Sequence, residues 1–257
     1  MTTNTTFQEI IINEPLEGVC EIRLNRPNVL NALTPLMLKE LAQITQQIAK
    51  GNKYKIVIVR GEGRAFSAGI DLKAMNQSIE GGQFSADAIL QDGTNFLNQL
   101  RSMPQVAIAA VNGYCFTGAT ELMLGFDLII AAEEAQIGDT HAKWGIAPKW
   151  GMTQRLPRMV GILKAKELSF TAQAVSGKEA ERIGLVNKAV PLEKLDEAVQ
   201  EMCLKILANS AQTIAAMKQL YNQSLELNLS GGLQYEQDRR FEITDRQEFL
   251  RDFENKK

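Results

Sequence analysis

Two stretches of this chain each lead an apolar strand into a glycine-containing turn that opens a helix. One turn and helix are GEGRAFSAGIDLKAM at 61–75; the other stretch, 105–138, holds a strand, a turn and an apolar helix with one acid, Glu121. A helix N-terminus presents unpaired backbone N–H groups and the positive end of the helix dipole. Two such turns that face each other can hold a developing oxyanion. The pair therefore predicts an oxyanion hole with a carboxylate beside it.

Strand and helix signals alternate along the first part of the chain. Thr34 followed by Pro35 predicts the N-cap and first residue of a helix that ends at Gly51. Apolar and β-branched runs predict strands, and the densest of them indicate burial on both faces. This alternation predicts an α/β fold. The predicted strands are 19–24, 55–60, 106–111 and 127–132.

Strand signals end near residue 190. We therefore divide the chain into a core at 1–190 and a helical C-terminal region at 191–257. The segment 75–83, which contains two consecutive glycines, is predicted to be a mobile loop. The helices predicted beyond residue 190 are 192–209, 211–226 and 231–252.

The composition argues against several classes of partner. The 257 residues carry a formal net charge of −2, which gives no electrostatic reason to expect nucleic acid or a membrane as partner. Three cysteines and a single histidine, without metal-ligand spacing, argue against a metal site. The longest apolar runs are too short to cross a bilayer, and the polar start is unlike a signal peptide. We expect a cytoplasmic globular protein.

Five long motifs stand in the order and spacing of a known family. On these motifs the chain resembles the enoyl-CoA hydratase/isomerase (crotonase) superfamily over nearly its whole length. Several long motifs together are far more specific than a lone glycine pattern. The motifs are LNRPNVLNAL (24–33), GEGRAFSAGIDLKAM (61–75), AVNGYCFTGATELMLGFD (110–127), IGDTHAKWGIAPKWGMTQRLPRMVG (137–161) and SGKEAERIGLVNKAV (176–190).

The resemblance implies a fold, a substrate and an assembly. The fold would be a spiral of repeated ββα units, with the C-terminal helices serving oligomerisation and covering the active site. The substrate would be an acyl-CoA thioester, with coenzyme A part of the substrate and no separate cofactor. The assembly would be a homotrimer or a hexamer built as a dimer of trimers. The activity implied first is enoyl-CoA hydration, the syn addition of water to a 2-enoyl-CoA. An isomerase, a decarboxylase, a thioester hydrolase and an idle acyl-CoA-binding protein remain alternatives.

By motif position, the resemblance assigns the oxyanion hole to the backbone N–H groups of Ile70 and Gly118. Thr117 is a candidate N-cap for the helix that follows it. The simpler alternative is that Gly118 only eases a tight turn. Glu121 matches the first of the two acids that hydratases use, and a carboxylate on an apolar helix is costly without a partner. Its alternative is a solvated or salt-bridged acid at a helix start.

His141 stands where hydratases of this family usually carry a second glutamate. Hydration needs one group that deprotonates water and another that delivers a proton to C2. Glu121 and His141 could divide these tasks, because histidine titrates near neutral pH. The alternative is a loop histidine that binds a carbonyl or a phosphate. Asp139 is a rival acid, for which we favour a surface cap.

The resemblance also implies residues that contact coenzyme A. Backbone groups of Ala68 and of the following turn would bind its pantetheine and adenine parts, and Lys73 could reach a phosphate. Arg26 could do the same or form a surface salt bridge. Lys149, Trp150 and Met152 depart from the glycine-richer family pattern. The bulky residues of this loop would either shape an acyl pocket or pack on a subunit interface. The full set of predicted substrate contacts is Arg26, Ala68, Asp71, Leu72, Lys73, Phe253 and Lys256.

Overall fold

The strands form two sheets, and the computed structural model describes residues 7–83 and 85–255. The strands are β1 (Ile10–Leu16), β2 (Val19–Leu24), β3 (Ile56–Gly61), β4 (Ala65–Ser67), β5 (Val106–Val111), β6 (Tyr114–Phe116), β7 (Leu128–Ala132), β8 (Gln136–Gly138), β9 (Val175–Ser176) and β10 (Lys188–Val190). The helices are α1 (Pro35–Lys50), α2 (Leu72–Glu80), α3 (Ala86–Ser102), α4 (Gly118–Met123), α5 (His141–Trp144), α6 (Met152–Val160), α7 (Ile162–Thr171), α8 (Gly177–Arg182), α9 (Leu195–Leu207), α10 (Ala211–Ser224), α11 (Leu229–Asp238) and α12 (Arg246–Asn255).

The chain moves repeatedly from the larger sheet to the smaller one and then into a helix. The larger sheet has the order β1-β2-β3-β5-β7-β10, and the smaller has the order β4-β6-β8-β9. All neighbours pair in parallel except β1 with β2 and β8 with β9. Strand pairs β3–β4, β5–β6 and β7–β8 therefore each contribute one strand to each sheet before a helix follows. The predicted α/β class and repeated ββα unit are confirmed.

Apolar side chains cover both faces of the larger sheet. Every residue of β5 is buried, which confirms the prediction from its dense apolar sequence. Side chains of α1 and α3 belong to the cluster on one face, whereas α9 contributes Leu195, Val199 and Cys203 to the cluster on the other. The first helix of the C-terminal region is thus part of the packed core. The division at residue 190 stays a prediction.

Helix α1 forms as its sequence predicts. The Thr34 hydroxyl accepts a hydrogen bond from the Met37 N–H at 3.0 Å, and Pro35 is the first helical residue. The proline costs nothing there because its missing N–H would have no partner inside the helix. Leu38 and Leu41 lie on the face that packs on the sheet.

Two predictions about local structure are wrong. The segment 75–83 is largely helical, because α2 continues to Glu80 after Asp71 caps it by accepting from the Ala74 N–H. The predicted helix at 231–252 is broken into α11 and α12. The chain between them is held to α10, where the Ser210 hydroxyl donates to Asp245 at 2.8 Å. A contact so distant in sequence is invisible to helical periodicity.

A buried lysine ties α10 to the core. The Lys218 ammonium donates to the carbonyls of Leu100 and Gln105 at 2.6 and 2.8 Å, and it pairs with Asp127 at 2.7 Å. Burial lowers the pKa of Lys218 and raises that of Asp127, while their mutual attraction opposes both shifts.

None of the helices within residues 7–83 and 85–255 has the length and apolar character that a membrane span requires.

Candidate active site

Three strand-to-helix turns meet at one edge of the smaller sheet. Strands β4, β6 and β8 are parallel neighbours, so their carboxyl ends lie side by side. From these ends the chain runs into residues 68–71, 117–118 and 139–141. Sites in α/β proteins commonly form at the carboxyl ends of parallel strands. The topology thus brings together the predicted oxyanion turns and the predicted histidine.

The turns at Ile70 and Gly118 touch each other, as predicted. Leu33 donates to the Gly69 carbonyl and Asp71 donates to the Leu33 carbonyl, at 2.8 and 2.9 Å, so the Ile70 N–H between them faces away from this pairing. A Cβ built on Gly118 would lie 3.3 Å from the Ile70 side chain. Gly118 begins α4 and has no acceptor one turn earlier in that helix. Among the described residues, neither N–H has an acceptor.

Thr117 holds the second turn in a strained conformation. Its φ of 53° is rare for a threonine, and such strain persists where surrounding contacts enforce it. The Thr117 N–H donates to the Gly138 carbonyl at 3.0 Å, and its hydroxyl bonds to the hydroxyl of Thr140. Thr117 occupies the N-cap position of α4, as predicted, but its side chain makes no capping hydrogen bond to that helix. The contacts instead fix the Gly118 turn against the loop that carries His141.

Glu121 is a buried and fully engaged acid. Its side chain is only 2% exposed, which rules out the solvated acid considered as an alternative. One carboxylate oxygen, Oε1, accepts from the N–H groups of Trp150 and Met152 at 2.7 and 3.1 Å. The other, Oε2, lies 3.3 Å from Nε2 of His141. The two backbone donors stabilise the carboxylate and leave Oε2 as the oxygen that can act on a ligand.

His141 lies between two carboxylates. Its Nδ1 is 2.6 Å from Oδ1 of Asp139, and its own backbone N–H donates to the same oxygen at 3.2 Å. Burial by itself would lower the pKa of His141, but the hydrogen bonds to Asp139 and Glu121 outweigh it and raise the pKa to about 9. A histidine with this pKa is protonated at neutral pH. The structure thus places His141 inside the site as a cation.

Asp139 is the residue whose position the sequence failed to indicate. Its burial would raise the pKa of the carboxyl, but hydrogen bonds to His141 and Ser169 lower it below its ordinary value. It is 5% exposed, so the surface cap favoured from the sequence is wrong. The one sequence signal was its spacing, because a side chain two residues before another can bond to the backbone and ring of that residue.

Trp150 lines the site, whereas Trp144 is 61% exposed. A Cβ built on Gly118 would lie 3.1 Å from the Trp150 ring, so the indole packs directly against the Gly118 turn. Its Nε1 donates to the Leu90 carbonyl of α3 at 3.0 Å. The backbone of Trp150 also holds Glu121, and this residue therefore couples α3, α4 and the acid.

The predicted coenzyme A contacts fall into two groups. Arg26 and Asp71 bond to each other at 3.0 Å, and Asp71 caps α2, so both are committed to holding the turn before that helix. Leu72 and Lys73 are exposed on the first turn of α2, beside Ala68, whose N–H donates to the Leu30 carbonyl. The Phe253 and Lys256 predictions fall at the end of the chain, where the side chain of the first and all of the second lie outside the described residues.

Two free backbone donors beside a buried Glu–His pair define a site suited to stabilising an oxyanion while a proton moves. A model of the enoyl-CoA hydratase/isomerase family matches residues 14–256. The chain is 36% identical over 231 residues to the short-chain-enoyl-CoA hydratase of Clostridium acetobutylicum, a match that spans 89% of this chain and 87% of that protein.

Solved structures give the same result. An enoyl-CoA hydratase from Bacillus anthracis superposes with a TM-score of 0.88 at 33% identity, over 97% of each chain. A monofunctional enoyl CoA isomerase from M. smegmatis superposes with a TM-score of 0.75 at 29% identity, over 88% of this chain and 98% of that one. The chain belongs to the enoyl-CoA hydratase/isomerase family and is an enzyme of the crotonase superfamily. The predicted family and spiral fold are both confirmed.

Proposed function

We propose that this enzyme hydrates 2-enoyl-CoA thioesters by syn addition of water. The observation that carries the proposal is the arrangement of Glu121, which has one oxygen held by two backbone donors and the other facing His141, beside the N–H groups of Ile70 and Gly118. The hydratases among its relatives support the same reaction.

The proposed chemistry assigns one task to each group. The N–H groups of Ile70 and Gly118 bind the thioester oxygen and stabilise the negative charge that develops there. Oε2 of Glu121 takes a proton from water as the water oxygen bonds to C3, and the C2–C3 π electrons move toward the thioester oxygen. Nε2 of His141 gives its proton to C2 as the enolate collapses. Water has then been added across the double bond.

A direct proton transfer between the two side chains restores their starting protonation states. After the reaction Glu121 is protonated and His141 is neutral, and their reacting atoms are 3.3 Å apart in the free enzyme. The proton returns from the carboxyl group to the imidazole because the resulting pair of charges is stabilised by the attraction between His141 and the Glu121 carboxylate, with Asp139 also raising the pKa of His141. This transfer restores the starting state without an external acid or base.

The coenzyme A part of the substrate is proposed to lie along the first turn of α2. Leu72 and Lys73 are exposed there, and the lysine ammonium is a suitable partner for a phosphate. Ala68, Arg26 and Asp71 would shape the turn beneath it. Contacts from Phe253 and Lys256 remain part of the proposal.

A homotrimer, or a hexamer built as a dimer of trimers, is the assembly we propose, in the cytoplasm. Large apolar side chains lie exposed on the helices that flank the core, among them Leu163 at 80%, Phe170 at 75% and Leu229 at 80%. Exposed apolar surface of this kind is typical of subunit interfaces. Sedimentation velocity tests the assembly, and a monomer at micromolar concentration would contradict it.

The experiment that tests the function is a product analysis by mass spectrometry. The purified enzyme is incubated with 2-enoyl-, 3-enoyl- and malonyl-type CoA thioesters, alongside Glu121→Gln, His141→Ala and the exposed control Glu193→Gln. We expect wild type and the control to add one water to 2-enoyl-CoA. General acid–base groups contribute about 10²–10⁴-fold in rate, so both site variants should lose activity on that scale.

The other outcomes would each contradict the proposal. Conversion of 3-enoyl- to 2-enoyl-CoA without water uptake would indicate an isomerase. Loss of carbon dioxide would indicate a decarboxylase, and release of free coenzyme A a hydrolase. Binding of the thioesters without any turnover would indicate an idle binder.

A further inference from the structure

We propose that Asp139 is a positioning residue that fixes the orientation of His141, so that Nδ1 keeps its proton toward Asp139 and only Nε2 exchanges a proton with Glu121 and the substrate. The catalytic consequence rests on the proposed hydratase function. The orientation itself rests on geometry alone. Oδ1 of Asp139 accepts from both the ring and the backbone N–H of His141, at 2.6 and 3.2 Å.

The loop that carries Asp139 is itself anchored to the oxyanion turn. The Gly138 carbonyl accepts from the Thr117 N–H and from the Thr120 hydroxyl, both at 3.0 Å. The Thr140 hydroxyl bonds to that of Thr117. Ser169, on α7, is close enough to the Asp139 carboxylate to lower its pKa. Asp139 therefore lies between the smaller sheet and α7, and this anchored loop fixes the position of His141.

The charges around His141 favour one protonation pattern. The carboxylates of Glu121, on α4, and of Asp139, two residues before the histidine, both face its ring. The positive charge of Arg155, on α6, interacts with Glu121, whereas Ser169, the α7 residue near Asp139, is neutral. When His141 gives its Nε2 proton to C2, the neutral ring keeps the Nδ1 proton because only an acceptor faces it. Nε2 then carries a lone pair that faces Glu121 and can accept a proton.

An amide at position 139 would reverse this pattern. The carboxamide of Asp139→Asn can present its N–H₂ group to Nδ1, which favours the neutral ring protonated on Nε2. In that tautomer the ring is a far weaker acid than the imidazolium, and its Nε2 has no lone pair that could accept the proton from Glu121. The variant therefore changes proton transfer with little change in side-chain volume. Asp139→Glu keeps the acceptor and should restore part of the function.

His141 is the only histidine in the chain, so its titration can be followed without assignment. We propose NMR titration of its ring C2–H signal in wild type, Asp139→Asn, Asp139→Glu and the exposed control Asp238→Asn. Wild type and the control should titrate near pH 9, where the structure places this pKa. Asp139→Asn should titrate at least one pH unit lower, with Asp139→Glu between the two. An unchanged titration in Asp139→Asn would overturn the proposal.

Kinetics separate this proposal from the function on which it rests. With a 2-enoyl-CoA, Asp139→Asn should lower kcat about 10²-fold or more and leave KM nearly unchanged, because the carboxylate touches no substrate. Its kcat should also fall at a lower pH than that of wild type. If wild type hydrates nothing while the titration shifts as expected, the hydratase function fails and the orienting role stands. If kcat of Asp139→Asn equals that of wild type, the positioning role is wrong.

Discussion

Replacing Gly93 by alanine tests how the packing of α3 holds the active site. A Cβ on Gly93 would lie 2.7 Å from Nε1 of Trp150 and closer still to two carbons of its ring. The indole has little room to move, because its Nε1 bonds to the Leu90 carbonyl at 3.0 Å and its far edge packs on Gly118. The new methyl group must therefore displace the ring or the helix.

Helix propensity and steric overlap act in opposite directions on the stability of Gly93→Ala. Helix propensity alone would make Gly→Ala stabilising by about 1 kcal/mol. Overpacking a well-filled core costs about 1–3 kcal/mol, and losing the hydrogen bond from Nε1 costs roughly 1 kcal/mol more. The cost of overpacking and of the lost hydrogen bond exceeds the gain in helix propensity. We therefore expect a net loss of about 1–3 kcal/mol in the free energy of unfolding. Because the backbone of Trp150 holds Glu121, kcat should fall as well.

Urea denaturation followed by tryptophan fluorescence measures the loss, and steady-state kinetics measure kcat. Gly232→Ala is the matched control, since it is also a helical glycine but a Cβ there meets nothing within 4 Å. It should be neutral or stabilising, with kcat unchanged. If Gly93→Ala proves as stable as Gly232→Ala and equally active, the account of Trp150 as a packed support for Glu121 is refuted.

Two further predictions concern other parts of the molecule. Lys218→Met should cost about 1–3 kcal/mol of stability, because it leaves two carbonyls without their buried donor and Asp127 without its ion-pair partner. Burial raises the pKa of Asp127, so its charge disappears as pH falls, and urea denaturation should show a smaller cost at acid pH; a cost that grows on acidification would contradict this. Lys73→Ala should raise KM for a CoA thioester several-fold at low salt and less at high salt, with kcat unchanged, because an exposed charge pair is screened; a fall in kcat at constant KM would contradict a phosphate contact.

The sequence predicted the elements that have strong local signals. The helix from Thr34 to Gly51 needed only its cap, its proline and its apolar face. The two turns predicted to form an oxyanion hole could be located in the sequence because a strand, a glycine and a helix follow one another directly. Parallel pairing of β4 and β6 brings these turns into contact. For these elements, the order of strand, turn and helix signals along the chain, together with the family motifs, was sufficient.

The features that sequence did not predict depend on contacts distant along the chain. Asp139 was taken for a surface cap because nothing local shows that Ser169 and the small sheet enclose it. The two backbone donors to Glu121 come from Trp150 and from the first residue of α6, about thirty residues later, and backbone groups leave no signature in the side-chain pattern. The break after α11 likewise depends on α10. Such features appear only when the topology brings the segments together.

Hydration in heavy-oxygen water tests whether Glu121 activates the attacking water. Wild type and Glu121→Gln are incubated with a 2-enoyl-CoA in that solvent, and the product is fragmented in a mass spectrometer. We predict that wild type places the heavy oxygen on C3 and that the variant does so about 10²–10⁴-fold more slowly. Equal rates of labelling for the two proteins, or a product without the label, would contradict the assignment of Glu121 as the base that activates water.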